Sequence, residues 1–352
     1  MYSLNDYKVE LLKDSIFKKK MSDEEYFSNK YSKFISNSRL KLINPMEGGS
    51  PQKYLEGERI STSSLEFGSA IHALILQPDE FELPYYEHKP SGKLGKFIEE
   101  LVKYRKAGLN TIDALNRASV AADYYKDKLT YKIIRKAIIQ GWTYYKDLYY
   151  DNFNKYEKTP IILNPQQYQN VITCLDRFNR SSLYQFLNKQ NITKTKENYN
   201  EEAIFAHFKV TLPTQEVVTL PFKAKLDNYS IDPDFDTVIL NDIKTTSNEV
   251  DWFMGQPSIE EEDKWLFGSF QKYHYYRQIA IYMLILQKLL NNPKYTYQAN
   301  ILTIESFGEF NSKIHPISNA YIKLGLTEFK ELICRVAYHT QYGFDQPFNK
   351  YE

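Results

Sequence analysis

The hydrophobic pattern changes character near residue 200. Before that point, apolar residues recur at helical spacing among lysines and tyrosines; beyond it, alternating and fully apolar runs appear. AIFAHFKVTL (Ala203 to Leu212) alternates, and VVTLPFKAKLD (Val217 to Asp227) is a second strand-like run. Pro213 to Glu216 lie between them and predict a hairpin. The turn signal Asp232-Pro233-Asp234 precedes TVILNDIKTT (Thr237 to Thr246), an apolar strand with a polar end. A stretch without Pro or Gly from about Gln271 to Leu290 predicts a long helix, and TYQANILTIES (Thr296 to Ser306) a fourth strand. Ser318 to Tyr342 form an amphipathic helix that Gly343 ends. The order strand, strand, strand, helix, strand, helix predicts an α/β (α+β) class, with a mixed central sheet flanked by helices.

The N-terminal half is predicted to be helical. Residues 1–60 are a polar arm with helical pieces. FISNSRLKLINP carries Ser36 and Ser38 as caps and stops at Pro45, and PMEGGSPQ is a loop. Ser63 to Gln77 form a helix, with Ser63 or Ser64 as cap and Glu66 completing a capping box. Its apolar residues Leu65, Ile71, Ala73, Leu74, Ile75 and Leu76 cover most of its surface, which predicts burial, and Pro78 ends it. Residues 92 to about 200 contain several helices, broken near Gly108-Leu109-Asn110 and Thr159-Pro160, with a new start at Asn164-Pro165. The division expected is an arm (1–60), a first core helix and loop (61–92), a helical insertion (93–200) and a core of sheet and helices (201–352), all in one composite domain.

Composition narrows the function. Of 352 residues, 45 are Lys or Arg and 44 Asp or Glu, so a strongly basic chain of the histone type is excluded, though not a locally basic groove. Two cysteines, Cys174 and Cys334, exclude a disulfide scaffold, a four-cysteine zinc site and an iron–sulfur cluster. The longest apolar run, Ile279 to Leu286, is far below the roughly 20 residues of a membrane span. The expectation is a soluble cytoplasmic protein without a membrane partner. GKLGK (Gly92 to Lys96) lacks the spacing of a phosphate loop.

Three residues carry the chemistry. Asp227 ends one predicted strand, and Asp242 and Lys244 lie at the polar end of the next, fifteen residues on. Alternation puts Asp242 and Lys244 on one face. Two carboxylates beside a lysine form an oxygen-rich site for a hard cation such as Mg²⁺, with Mn²⁺ equally suited. The chemistry of such a site is phosphodiester hydrolysis, with Lys244 holding water or offsetting negative charge. A D-x-K string by itself is common, but this one follows the core run Val238-Ile239-Leu240. His72 follows Gly68 by four residues on the same helical face and is either a core histidine or a further metal ligand. Gln278 and Tyr282 share a helical face. The run Lys272 to Arg277 mixes base and aromatic, which suits nucleic acid or a protein interface. Lys223 and Lys225 alternate toward Asp227 and face phosphates or solvent.

These elements, in this order, resemble the PD-(D/E)xK nuclease superfamily and within it the RecE-like (exonuclease VIII-type) exonucleases of phages and prophages. The residues that carry the resemblance are FGSAIHALILQPDEFE (Phe67 to Glu82), KAKLD (Lys223 to Asp227), NDIKTT (Asn241 to Thr246) and YHYYRQIAIY (Tyr273 to Tyr282). FISNSRLKLINP (Phe34 to Pro45) also looks like the opening of such proteins. The resemblance spans about residues 34 to 345 and is loose from 93 to 200. It implies a restriction-endonuclease-like core. It implies metal ligation by His72, Asp227, Asp242 and the Ile243 carbonyl, and catalytic roles for Asp227, Asp242, Lys244, Gln278 and Tyr282. DNA contacts are expected from Lys223, Lys225, Tyr275 and Arg277. The reaction implied is Mg²⁺-dependent digestion of linear double-stranded DNA, 5′ to 3′, in recombination. A RecT-type annealing protein and a ring-shaped homo-oligomer are the partners implied. The long N-terminal extension of RecE is not expected in this chain, and the acidic stretch GQPSIEEED is either a mobile loop near the site or a partner surface. An endonuclease or nickase on the same fold, or a non-catalytic DNA-binding or virion protein, remain the competing readings.

Overall fold

Alternating residues build the sheet. The computed structural model describes residues 3–57, 63–124, 131–187, 196–258 and 265–348. The strands of its main sheet are β1 (Lys8–Leu11), β2 (Phe17–Lys19), β3 (Glu197–Thr211), β4 (Val217–Asp232), β5 (Thr237–Thr246), β6 (Thr296–Glu305) and β7 (Ser312–Pro316), and two further pairs of two-residue strands stand apart from it. The main sheet is seven-stranded in the order β1-β3-β4-β5-β6-β7, with β2 also pairing β3. Every pair within it is antiparallel except β5 and β6, which run parallel. A parallel pair needs a crossover, and the helical stretch between these two strands supplies it.

The sheet belongs to the first of two units, Met1–Ile60 with Arg177–Glu352; the second is Ser61–Asp176. In the first unit, Ile204, Ala206, Phe208 and Val210 of β3 join the main core. Ala203 and Phe205 join a smaller cluster with Met21, Tyr26 and Tyr31. Alternation thus sends one set of side chains to the main core and the other to the N-terminal arm. The predicted hairpin is present, closed by Leu212 N–H donating to the Glu216 carbonyl at 2.8 Å, with Gln215 at φ +71°.

Four helices of this unit matter below: α1 (Asn37–Lys41), α2 (Ser269–Lys272), α3 (Tyr275–Leu290) and α4 (Asn319–Tyr342). Ser36 caps α1, accepting from the Arg39 N–H at 3.3 Å. α3 and α4 approach closely at Gly325, where an added Cβ would lie 2.4 Å from the Tyr276 carbonyl oxygen. α4 ends at Gly343, at φ +103°, as the sequence predicts.

Four differences from the sequence reading have physical reasons. The helix predicted from Gln271 is split, because His274 takes a left-handed conformation (φ +52°) between α2 and α3. The arm holds β1 and β2, runs too short for their alternation to declare a strand. β7 is likewise a five-residue polar strand. β4 runs five residues past Asp227, because Tyr229 and Ile231 continue the core.

The second unit is helical, with helices Ser63–Leu76, Gly92–Lys106, Thr111–Ala121 and Tyr131–Tyr149, and the start of Pro165–Arg180. Phe97, Ile98, Leu101, Ala114, Leu115, Ala118, Ala137 and Tyr144 form a core there. Asn110 caps Thr111–Ala121 by accepting from the Asp113 N–H at 3.0 Å. Helix Ser63–Leu76 is less enclosed than its composition predicts: Ile71 is fully buried, but Leu65 is exposed. Among the described residues, no helix is long and apolar enough to cross a membrane.

Candidate functional site

A fork in the sheet brings the sequence-predicted acids together. β4 and β5 pair from Asp232↔Thr237 to Asn228↔Asn241, and their ladder stops there. The next residues are Asp227 and Asp242. The β3–β4 ladder also skips this place, running from Asn200↔Asn228 to Glu202↔Leu226. Glu201 stands in that gap at φ +52°, a conformation costly for a residue with a side chain. The core-facing set shifts here as well: it falls on even positions of β4 up to Leu226, then on Tyr229 and Ile231. Asp227 therefore lies where two neighbouring strands let go of β4 and not at its end.

The charges at the fork are tightly coupled. Asp227 Oδ2 accepts from the Ile243 N–H at 2.7 Å. The Lys244 ammonium pairs with Asp242 and donates to the Ile243 carbonyl at 3.3 Å. Asp242 is 1% exposed. A carboxylate oxygen of Glu201 and one of Asp227 lie within 4.8 Å of each other. Burial raises the Asp227 carboxyl, against the pull of Lys244 and the Ile243 N–H. Burial and the neighbouring Asp227 lift Glu201 to about 7, with Lys225 opposing. Burial disfavours the Lys244 charge, but Asp242 and Asp227 outweigh it, so the lysine is held protonated.

Helix α3 reaches into this cluster. Gln278 Nε2 donates to Asp242 Oδ1 at 2.9 Å and to the Tyr282 hydroxyl at 3.2 Å. The Tyr282 phenol is buried, and its pKa is pushed well above the ordinary value by burial and then by Tyr26, Asp242 and Asp227. It is a neutral group. Tyr275 is half-buried, with its ring stacked on Phe253 at 5.8 Å and 5.2 Å from Lys244 Nζ.

The basic residues expected on DNA are otherwise engaged. Arg277 is 1% exposed. It donates to Asn37 at 2.9 Å, Glu47 at 2.7 Å and Glu328 at 2.6 Å. Its charge is spent on tying α3 to the arm and to α4, so the expectation that it meets a phosphate is corrected. Glu47, His274 and Glu328 offer ligand atoms within 4.8 Å of one another, but the guanidinium already bridges both carboxylates. Lys223 is buried and donates to the Tyr26 carbonyl at 2.7 Å. Lys225 bridges Asp23 and Glu201, each at 2.5 Å. Both lysines face protein groups of the arm or the fork. His72 lies partly buried on helix Ser63–Leu76, in the second unit.

The sequence reading missed Glu201. Its run, Asn200-Glu201-Glu202, has no local mark of a site. Only the β3–β4 register, which sets it opposite Asp227, could have pointed to it. Chemically, the fork offers carboxylate oxygens of Glu201 and Asp227 side by side, with Asp242 and the Ile243 carbonyl next to them and engaged by Gln278 and Lys244. Hard oxygen donors of this kind suit Mg²⁺ or Mn²⁺.

No protein-family model and no curated protein matches the chain. Among solved structures it is similar to a crystal structure from Eubacterium rectale described as a "putative exonuclease". That likeness has 12% identity and a TM-score of 0.49, over 94% of this chain and 89% of the other. At that level it assigns neither fold nor activity here.

Proposed function

We propose that the chain is a metal-dependent nuclease that hydrolyses phosphodiester bonds of DNA at the β4–β5 fork. The observation that carries this reading is the gathering of Asp227, Asp242, Lys244 and Gln278, from two strands and a helix, around one break in the sheet. Asp227, Asp242, the Ile243 carbonyl and Glu201 would hold the cation. The chemistry a bound Mg²⁺ supplies in such a site is polarisation of a phosphate oxygen and acidification of a water.

The chain's own groups have separate tasks. Lys244, held protonated, offsets the negative charge that develops on the phosphate and orients the attacking water. Gln278 fixes the Asp242 carboxylate through one oxygen, which leaves that group one orientation. Tyr282 completes the Gln278 bond and, as a neutral phenol, can donate to a phosphate. Linear double-stranded DNA as substrate, 5′-to-3′ polarity, a role in recombination, a RecT-type partner and a ring assembly follow from the resemblance and form part of the proposal.

Digestion of end-labelled linear duplex beside a closed circle, in Mg²⁺ and in EDTA, tests it. Loss of the linear DNA alone, abolished by EDTA and by Lys244→Ala, is the result expected. Cutting of the circle would turn the reading to an endonuclease. Metal-dependent cleavage of neither substrate by folded protein would leave a DNA-binding or structural protein.

A further inference from the structure

Beside the fork, an aromatic chain runs to the surface. Lys244 Nζ lies 5.2 Å from the Tyr275 ring, and the Tyr275 and Tyr273 rings lie 5.8 Å apart. Tyr275 already stacks on Phe253 with an interplanar angle of 12°. Tyr273 is different: it is 42% exposed. Two exposed lysines flank its ring, Lys41 Nζ at 5.8 Å from the end of α1 and Lys272 Nζ at 5.4 Å from the end of α2. Among the described residues, neither lysine has an ion pair.

The geometry points to Tyr273 as a stacking platform for an unpaired base, with Lys41 and Lys272 on the phosphates of the same strand. The inference rests on the nuclease reading for its direction, since the strand would lead from Tyr273 to Lys244. Each element has a physical reason. An exposed ring with two lysine cations over it matches a polyanion whose units carry flat π faces, because both exposed side chains can swing out to phosphates and give the ring face to a base, and base–aromatic stacking needs a base out of the duplex. The two ring steps, 5.2 Å and 5.8 Å, keep Tyr273 within a few nucleotides of Lys244. Such a platform would hold a frayed end or a single-stranded overhang in register with the site. An acidic polypeptide would satisfy the lysines and leave the ring face unused.

Binding of a labelled oligothymidylate of about 12 nucleotides, by fluorescence anisotropy of the full chain in EDTA, tests this separately from cleavage. Tyr273→Ala is expected to weaken binding about tenfold, and Tyr273→Phe by less than about twofold. Lys41→Ala and Lys272→Ala should each lower the slope of log affinity against log salt by about 0.7. Tyr273→Ala binding as tightly as wild type, or Tyr273→Phe binding as weakly as Tyr273→Ala, would overturn the platform. So would polyglutamate that binds with the same dependence on Tyr273. If Tyr273→Ala leaves strand binding unchanged while Mg²⁺-dependent cleavage persists, the platform fails and the nuclease reading stands. If the wild type cuts no DNA and strand binding still needs the Tyr273 ring, the nuclease reading fails and the platform stands.

Discussion

Two adjacent rows of the sheet make opposite use of polar side chains. Asn200, Asn228, Asn241 and Asn300 stand opposite one another across β3, β4, β5 and β6. Asn300 donates to Asn241 at 3.0 Å, Asn241 to Asn228 at 2.7 Å and Asn228 to Asn200 at 2.7 Å. Asn228, Asn241 and Asn300 are buried. One residue further along, the row is Glu201, Asp227 and Asp242, where the ladders open. The asparagine row is neutral, with its donors matched to acceptors, and it fixes strand register. The carboxylate row packs like charges against burial, which raises Glu201 and Asp227. The first row aligns the strands, and the second uses the alignment to hold groups that would otherwise move apart. A one-residue slip of β4 on β5 would unmatch the amides and part Asp227 from Asp242.

The largest expected effect falls on the carboxylate row. Asp242→Asn should cut metal-dependent cleavage by about 100-fold or more, read as initial rate on linear duplex, because a ligand is lost and Lys244 loses its partner. The asparagine row should show the reverse emphasis. Asn241→Ala leaves a buried donor on Asn300 and a buried acceptor on Asn228, so urea unfolding should show a loss of about 2–4 kcal/mol. Any fall in cleavage by that variant would then follow its unfolding. Gln278→Leu sits between the two. It frees Asp242 Oδ1 without opening the core, so cleavage should fall about tenfold while the urea midpoint moves little.

The smallest effect sharpens the contrast through pH. Glu201 is raised from an ordinary 4.5 to about 7 in the folded chain. Between those values the folded chain therefore binds more protons than the unfolded one. Stability of the metal-free protein should fall by a few degrees in melting temperature as pH rises from about 4.5 to 7. Glu201→Gln should flatten that slope. An unchanged slope in this variant would remove Glu201 from the coupled set.

Legibility in the sequence followed the range of the cause. β5 was readable end to end, because Val238-Ile239-Leu240 and the turn at Asp232-Pro233-Asp234 are local signals. That Asp227 and Asp242 lie on adjacent strands was readable too, since fifteen residues and one turn leave few other arrangements. Arg277 was not. A guanidinium beside tyrosines looks the same in sequence whether it meets phosphate or, as here, Glu47 from 230 residues away. Glu201 was hidden for a related reason: its place depends on a long-range ladder and on a left-handed backbone that its neighbours do not announce. β1 and β2 pair with β3 across more than half the chain, and no short run can predict that.

On the proposed reading the fork serves chemistry and not the stability of the sheet. Asp227→Asn, assayed for Mg²⁺-dependent cleavage and for thermal melting in one preparation, tests it most directly. Cleavage should be lost while the metal-free melting temperature at neutral pH stays the same or rises, because a carboxylate disfavoured by burial has been made neutral. Cleavage at the wild-type rate in this variant would contradict that reading.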